Sequence, residues 1–498
     1  MMITTRDLIA VGSTALALTF AFLYRRYAAR SLPFPPGPKP SLLTGNAHQI
    51  PRTLPWLTYA SWSKIYGPLV FVRLFKMNII VLNTAKSALD LLEARSTIYS
   101  DRPLNTIGRR HETVFSMSSQ NPRFKIYRKV LHTGLNPRAV QDYNSVQLQE
   151  TLTLLKALFE SPELFFAHIR RNAAAQIMKI SYGYQVESDD DKFVQMIEEG
   201  FKLSAEITSR KFWMWMQMFP ILRYVPEWFH GANLQRVVRE FNKIDQVPYD
   251  WAKNNIASGN YVESFTSKHL QDNTTLRAEE KDDIIKYCSG ALYVGGAETT
   301  VSALIGFFWL MSMYPDVQKR AQQEVEQIIG DRLPTPADYS SLPYILALMK
   351  EVLRWAPVAP LGLRHRVLED DVYEGYLIPK GTTIMANIWA ITHDPELYPS
   401  PDNFDPTRHL GEDAQTDPFK FVFGFGRRTC PGSHFAEVSL FLNMASILAT
   451  FDIKKALGPD GKEIDPPKEW TTGVTSHLKP FNCRIIPRSQ DITGILGL

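Results

Sequence analysis

Hydrophobic and polar positions follow different periods along the chain, and each period predicts an element. Leu8 to Tyr24 (LIAVGSTALALTFAFLY) is an almost charge-free run of about the minimum length for one bilayer crossing, closed by Arg25 and Arg26 with Arg30 beyond. Cations placed after the run predict a retained anchor with the rest of the chain on the cytosolic side. A cleaved signal peptide is the rival reading, but the early charge is weak and no convincing small-residue cleavage site precedes the arginines. Residues 1–30 are therefore expected to be a membrane anchor. Residues 31–40 contain Leu32-Pro-Phe-Pro-Pro-Gly-Pro-Lys-Pro40, too proline-rich for helix or central strand, and are expected to be a stiff hinge. Length alone would divide the chain into about three domains of roughly 150 residues each.

Leu69 to Leu82 (LVFVRLFKMNIIVL) is rich in β-branched and aromatic residues and breaks near Lys76 to Asn78, which predicts a hairpin. Ala85 to Arg95 reads as a short helix, and Ser100 to Asn121 as a long loop of a length that usually carries function. Arg123-Phe-Lys-Ile-Tyr-Arg-Lys129 opens a helix with recurring basic residues. Residues 140 to 280 are mostly amphipathic helical patterns. Within them, Phe212-Trp-Met-Trp-Met-Gln-Met-Phe219, followed by Tyr224, Pro226, Trp228 and Phe229, is apolar enough either to pack in the core or to dip into lipid. Ile284 to Met313 is the longest uninterrupted apolar helical pattern. Ser341-Leu-Pro343 predicts another helix start, with serine as the cap and proline in the first turn. Ala356 to Arg366 is extended and broken by prolines, and turn signals at Glu374-Gly375 and Pro379-Lys-Gly381 separate strand-like runs. Phe435 to Phe451 is one more apolar helix. The pattern predicts a mainly α fold with a smaller β region and no internal repeat.

Composition narrows the class. The 498 residues are 45% hydrophobic and 21% charged, enough for a large core and unlike a disordered or collagenous chain. The formal charge of +4 is a mild excess that calls for no nucleic acid, although a local basic face for an acidic protein remains open. Cys288, Cys430 and Cys483 are too few and too scattered for a disulfide framework, and fit a reducing compartment.

The chemistry concentrates at Phe423-Gly-Phe-Gly-Arg-Arg-Thr-Cys430-Pro-Gly432, which runs into the last apolar helix. Glycines at 424 and 426 allow backbone conformations that turn amide N–H groups toward the sulfur. Phe423 shields it, and Pro431 and Gly432 let the chain pass close under a flat group. Arg427 and Arg428 suit carboxylates. A buried free cysteine beside a surface turn is the plainer reading.

This decapeptide resembles the haem-binding loop of the cytochrome P450 family and matches Phe-x-x-Gly-x-Arg-x-Cys-x-Gly at every fixed position. The resemblance implies the cytochrome P450 fold for residues 41–498 as one large domain, with haem b (iron protoporphyrin IX) as cofactor. It further implies Cys430 as axial iron ligand, Arg428 as a propionate partner, and Phe423, Gly424 and Gly432 as residues against the cofactor. The family's Trp-x-x-x-Arg appears as Phe124 and Arg128, so the indole donor is missing while Arg128 keeps the charged propionate contact. His365 falls where a second propionate contact is placed.

Gly295-Gly-Ala-Glu-Thr-Thr300 resembles the family's oxygen-groove motif, implying Thr299 as the hydroxyl that helps deliver protons and Glu298, in place of the commoner aspartate, as the acidic relay. Helical glycines cost about 1 kcal/mol each relative to alanine, so something should compensate. The alternative is a threonine bonded to its own helix at i−4 beside glycines that permit close packing. Glu351 and Arg354 stand at i and i+3, and Arg408 in Asp405-Pro-Thr-Arg408 resembles the residue that completes a structural triad with them. His409 replaces the expected phenylalanine. By the same resemblance, Val358 to Leu363 and the loops 100–121 and 471–476 line the substrate pocket.

The implied function is one-oxygen insertion from O2 into an apolar small molecule by a single-pass protein of the endoplasmic reticulum membrane. Electrons would come from an NADPH-cytochrome P450 reductase that docks on Lys125, Lys129 and Arg427. The texture of Asp370 to Lys380 looks most like fungal members that decorate terpenoids, polyketides or indoles. Isomerisation or dehydration on the same fold, a non-catalytic haem or ligand-binding protein, and a membrane-bound structural protein without haem are the rivals. The sequon at Asn273 is expected to stay unmodified if the domain faces the cytosol.

Overall fold

The computed structural model describes residues 32–103, 113–209, 234–272, 276–489 and 492–498. The Leu8–Tyr24 run, the aromatic segment from Phe212 to Phe229 and the Asn273 sequon lie outside the described residues. Eleven described α-helices have seven residues or more: α1 (Pro55–Tyr66), α2 (Pro122–Leu135), α3 (Asn144–Glu160), α4 (Phe165–Tyr182), α5 (Lys192–Ser209), α6 (Leu234–Ala257), α7 (Phe265–Gln271), α8 (Ala278–Met313), α9 (Pro315–Ile329), α10 (Pro343–Trp355) and α11 (Ser433–Thr450). The chain is mainly helical with small sheets, as its pattern predicts.

α8 is the axis. Its 36 residues begin six positions before the predicted start, where Glu279 and Glu280 favour a helix N-terminus. Its first half packs in one apolar core with α2 and α4, and its second half in another with α10 and α11. α8 is also the one described helix long and apolar enough to span a bilayer, but most of that stretch is buried inside the protein. Gly296 brings α4 close, since a Cβ there would stand 2.9 Å from Ile177 Cγ1.

Local starts follow side-chain chemistry. Asn121 Oδ1 accepts from Arg123 N at 2.9 Å to open α2, and Ser264 and Ser267 form a reciprocal capping box at α7. Ser341 does not cap α10, contrary to expectation: Leu342 holds the cap position without a side-chain bond. Glu324 of α9 does that work instead, its carboxylate accepting from Tyr344 N and Ile345 N at 2.8 and 2.9 Å. A carboxylate satisfies two free amides at once and complements the helix dipole, which a serine hydroxyl cannot do.

The predicted hairpin is β1 (Leu69–Leu74) with β2 (Met77–Leu82), in register Leu69 to Leu82. It belongs to a four-stranded sheet that also contains β3 (His365–Arg366) and β6 (Thr383–Ala386), in the order β1-β2-β6-β3. Pairing of His365 with Ile384 fixes where that imidazole sits. β4 (Asp371–Tyr373) and β5 (Tyr376–Ile378) form a hairpin, and β7 (Phe451–Leu457), β8 (Glu463–Ile464) and β9 (Cys483–Pro487) a three-stranded sheet. The proline segment is docked: Phe71 N donates to Pro36 O at 2.9 Å, and the Phe34 ring stacks on Phe71 with centroids 5.1 Å apart.

Candidate functional site

A cavity of about 1210 Å³ lies between α8 and the Cys430 loop. Gly295, Glu298 and Thr299 stand on its α8 wall, and Phe423, Cys430 and Gly432 on the other. The loop reaches this position because Gly424 and Gly426 adopt φ of +79° and +50°. A Cβ at Gly426 would stand 2.7 Å from Leu92 O, so no larger residue fits. The Cys430 N–H donates to Phe423 O at 2.7 Å, closing the loop on itself.

Cys430 is exposed to the cavity and enclosed by protein elsewhere. Burial pushes its thiol up, while the Gly432 N–H and the Arg128 charge pull it partly back. The amide that reaches the sulfur is therefore that of Gly432. Gly424, expected to turn its amide inward, donates to Phe421 O at 3.2 Å. Such a thiol ionises readily only beside a further positive charge, as a bound metal supplies.

The rim gathers basic side chains. Arg102, Arg128, Arg428 and His365 all line the cavity. Their uses differ. Arg428 spends its guanidinium on the carbonyls of Ser100, Val114 and Met117, at 2.8, 3.1 and 2.6 Å, and lies 3.9 Å over the Phe124 ring. It thus ties the backbone at Ser100, Val114 and Met117 to the cysteine loop, and Phe124 serves as its platform. Arg128 gives one N–H to Thr429 O at 2.9 Å. His365 Nδ1 donates to Tyr99 O at 2.7 Å, which leaves Nε2 for the cavity. Burial, then the charges of Arg102 and Arg428, push His365 down to about 3.

Sequence reasoning passed over Arg102. It is 6% exposed, its Nη1 donates to the carbonyls of Leu363 and Arg364, and its buried Nε has no partner. Burial and the neighbouring Arg428 lower it to about 9. Asp101, the adjacent carboxylate, is engaged by Arg366, Ser118 and Ser119. A buried cation with an unpartnered donor, beside two half-buried arginines, is an anion site. The carboxylates of a flat, apolar group would satisfy it and Cys430 would offer a metal ligand, so the residues present fit a haem.

On α8, Thr299 Oγ1 donates to Gly295 O at 2.7 Å. That is the i−4 bond of the plainer reading, and the close approach of Ile177 to Gly296 is its packing counterpart. Both features sit on the cavity wall. Gly295 is open there, with only Phe115 Cζ near a built Cβ, at 3.5 Å. Glu298 Oε1 lies 2.6 Å from Nε2 of His477, a second residue that sequence reasoning passed over. The approach is off the hydrogen-bonding angle, since Nε2 counts as unpartnered by geometry.

Val358, Gly362, Leu363, Thr471 and Val474 also line the cavity, as expected of their segments. Arg364 is exposed beside them. Lys125, Lys129 and Arg427 are exposed, as a docking face requires.

Away from the cavity, Glu351 and Arg354 are fully buried and paired at 2.7 and 2.8 Å, and Arg408 Nε reaches Glu351 Oε1 at 3.0 Å. His409 adds a contact to Oε2 at 2.9 Å. Burial pushes the Glu351 carboxyl up, but donation by Arg354 and His409 outweighs it and holds the group below its ordinary value.

The sequence profile of the family described as Cytochrome P450 matches residues 35–483. The chain is 37% identical to cytochrome P450 monooxygenase claR of Ampulloclitocybe clavipes, over 100% of this chain and 94% of that protein. It is 39% identical to cytochrome P450 monooxygenase 208 of Postia placenta, over 95% and 94%. With cytochrome P450 monooxygenase ppsD of Aspergillus oryzae it shares 35% identity over 93% and 90%.

Proposed function

This chain belongs to the cytochrome P450 family of oxidoreductases, which bind haem through a cysteine thiolate, and we propose that it is a membrane-anchored monooxygenase of fungal secondary metabolism. It inserts one oxygen atom from O2 into an apolar organic substrate. The observation that carries this reading is Cys430 Sγ, open to a cavity whose opposite wall holds Thr299 and whose rim holds the buried Arg102 and the half-buried Arg128.

A haem held by Cys430 would supply oxygen activation, the thiolate lending it electron density. The chain's own residues do the rest. Cys430 would hold the iron, with the Gly432 N–H toward its sulfur. Arg102 and Arg128 would hold the propionates, with His365 beside them able to donate from Nε2 only when a neighbouring anion keeps the ring protonated, while Arg428 organises the loops around them. Phe423, Gly424 and Gly432 shape the wall on the thiolate side. Thr299 spends its own proton on Gly295 O, which leaves its oxygen lone pairs free to accept from a water. Glu298, the adjacent carboxylate on the same wall, is the acidic relay through which protons from solvent pass toward that water. Val358, Leu363 and Val474 keep the substrate region apolar and exclude water.

Fungal relatives named monooxygenases support the reaction and its setting. Residues 1–30 anchor the protein in the endoplasmic reticulum membrane, 31–40 connect, and 41–498 form the catalytic domain on the cytosolic side. An NADPH-cytochrome P450 reductase docks on Lys125, Lys129 and Arg427. The test is absorbance of the reduced carbon monoxide complex together with NADPH consumption in the presence of reductase. Cys430→Ala is expected to abolish the thiolate-type band and turnover, and normal turnover by that variant overturns the assignment. Screening candidate metabolites for haem spectral changes then finds the substrate.

A further inference from the structure

The segment after Trp470 is fastened to one face of α8 at two points a single turn apart. Ser302 Oγ donates to Ser476 O at 2.6 Å, and Glu298, four residues earlier on the same face, meets His477. The segment is stiff. Thr471 N donates to His477 O at 2.8 Å, His477 N donates to Thr471 Oγ1 at 2.9 Å, and Ser476 N donates to Val358 O at 2.9 Å. The His477 backbone is thereby held, and its ring has few places to go.

Glu298 needs such a partner. It lines a largely apolar cavity, where a carboxylate without a partner swings toward water. Its side chain is 23% exposed and that of His477 16%, so both remain within reach of a water in the cavity while screened from bulk solvent. The glutamate at 298 is one methylene longer than an aspartate. That added length brings Oε1 to within 2.6 Å of the imidazole Nε2.

We propose that His477 is a positioning residue for Glu298, holding its carboxylate in place so that protons pass to Thr299 in an ordered way. The inference rests on the reading of Glu298 and Thr299 as the proton-handling pair. A substrate-free assay tests it, because O2 is then reduced either to H2O2 with two electrons and two protons or to two H2O with four of each. Hydrogen peroxide released per NADPH consumed, with reductase, reports how protons arrive.

His477→Leu is expected to change the peroxide share by about the same factor as Glu298→Gln, at least roughly twofold. The double variant should be no worse than Glu298→Gln alone, because the two residues act as one unit. His477→Gln, which keeps an N–H donor, should fall between wild type and His477→Leu. A second readout needs no turnover: the carboxylate infrared band identified by subtracting the Glu298→Gln spectrum should shift in His477→Leu.

Effects of His477→Leu and Glu298→Gln that multiply, or a carboxylate band that stays in place, overturn the proposal. So does a changed peroxide share in Glu298→Gln with none in either His477 variant. If Glu298→Gln and Thr299→Ala both leave the share at the wild-type value, the underlying reading of the pair fails, and the inference falls with it by a different pattern of results.

Discussion

The imidazole of His409 donates from Nε2 to Glu351 Oε2 at 2.9 Å, so a residue replacing an expected phenylalanine becomes a partner of the buried carboxylate. Glu351 also accepts from Arg354, Arg408 and the Asp405 N–H. Removing one of several donors costs less than removing the acceptor. His409→Phe is expected to destabilise the folded protein by about 1–2 kcal/mol. Glu351→Ala, which strands two buried guanidiniums, should cost about 3–5 kcal/mol and most of the haem-loaded yield. Denaturant unfolding of the purified proteins checks both.

The same carboxylate sets an acid limit. Because Glu351 titrates lower when folded than its ordinary 4.5, its contribution is complete above that pH and is lost as pH falls through the folded value. His365 acts over a higher window. Its folded value of about 3 against an ordinary 6.5 means that the unfolded chain takes up the proton first, so stability falls as pH drops from 6.5 toward 3. An anion beside His365 opposes that shift. Haem-free protein should therefore lose more thermal stability between pH 7 and pH 5 than haem-loaded protein, and His365→Gln should narrow the difference.

Arg102 gives a prediction of opposite signs in two forms of the protein. Replacing a buried cation crowded by Arg428 with an apolar residue relieves repulsion when no anion is present. Arg102→Met should raise the stability of haem-free protein. It should lower haem content and the stability of the loaded form by about 1–3 kcal/mol. Haem content after gel filtration and paired melting curves read both.

Neighbouring glycines on α8 should respond differently. Gly296→Ala drives a methyl to 2.9 Å from Ile177 Cγ1 and is expected to cost about 1–3 kcal/mol, partly recovered by Ile177→Val. Gly295→Ala meets only Phe115 at 3.5 Å and should be neutral or stabilising by up to about 1 kcal/mol. Similar cost from both variants would show that packing against α4 is not what selects glycine at 296.

What could be read from the chain were features carried by adjacent residues. The cysteine loop declares itself through fixed spacing, α8 through a long apolar run, and the β1–β2 hairpin through its β-branched and aromatic residues and the break between them. Illegible features depend on residues that meet only after folding. Arg102 is one cation in a loop until Arg428 and His365 arrive from over 250 positions away, and nothing in its local pattern distinguishes it from a solvated side chain. His477 gains a role only because Ser302 and Val358 hold its loop against Glu298. At α10 a local rule pointed to Ser341, but a carboxylate from another helix fills both free amides. Cap roles separate cleanly: Glu324→Ala should cost about 1 kcal/mol and Ser341→Ala almost nothing.

β1 lies at the edge of its sheet, and its outer side is taken by the segment that precedes α1: Phe71 N donates to Pro36 O, and Asn46 N to Arg73 O. Those prolines thus act as a built-in guard against strand-to-strand sticking between molecules. A shortened protein made by cutting just ahead of Leu32 keeps the guard, whereas one that starts after Pro40 bares the Phe71 face and should self-associate, a difference that light scattering of the two products would display.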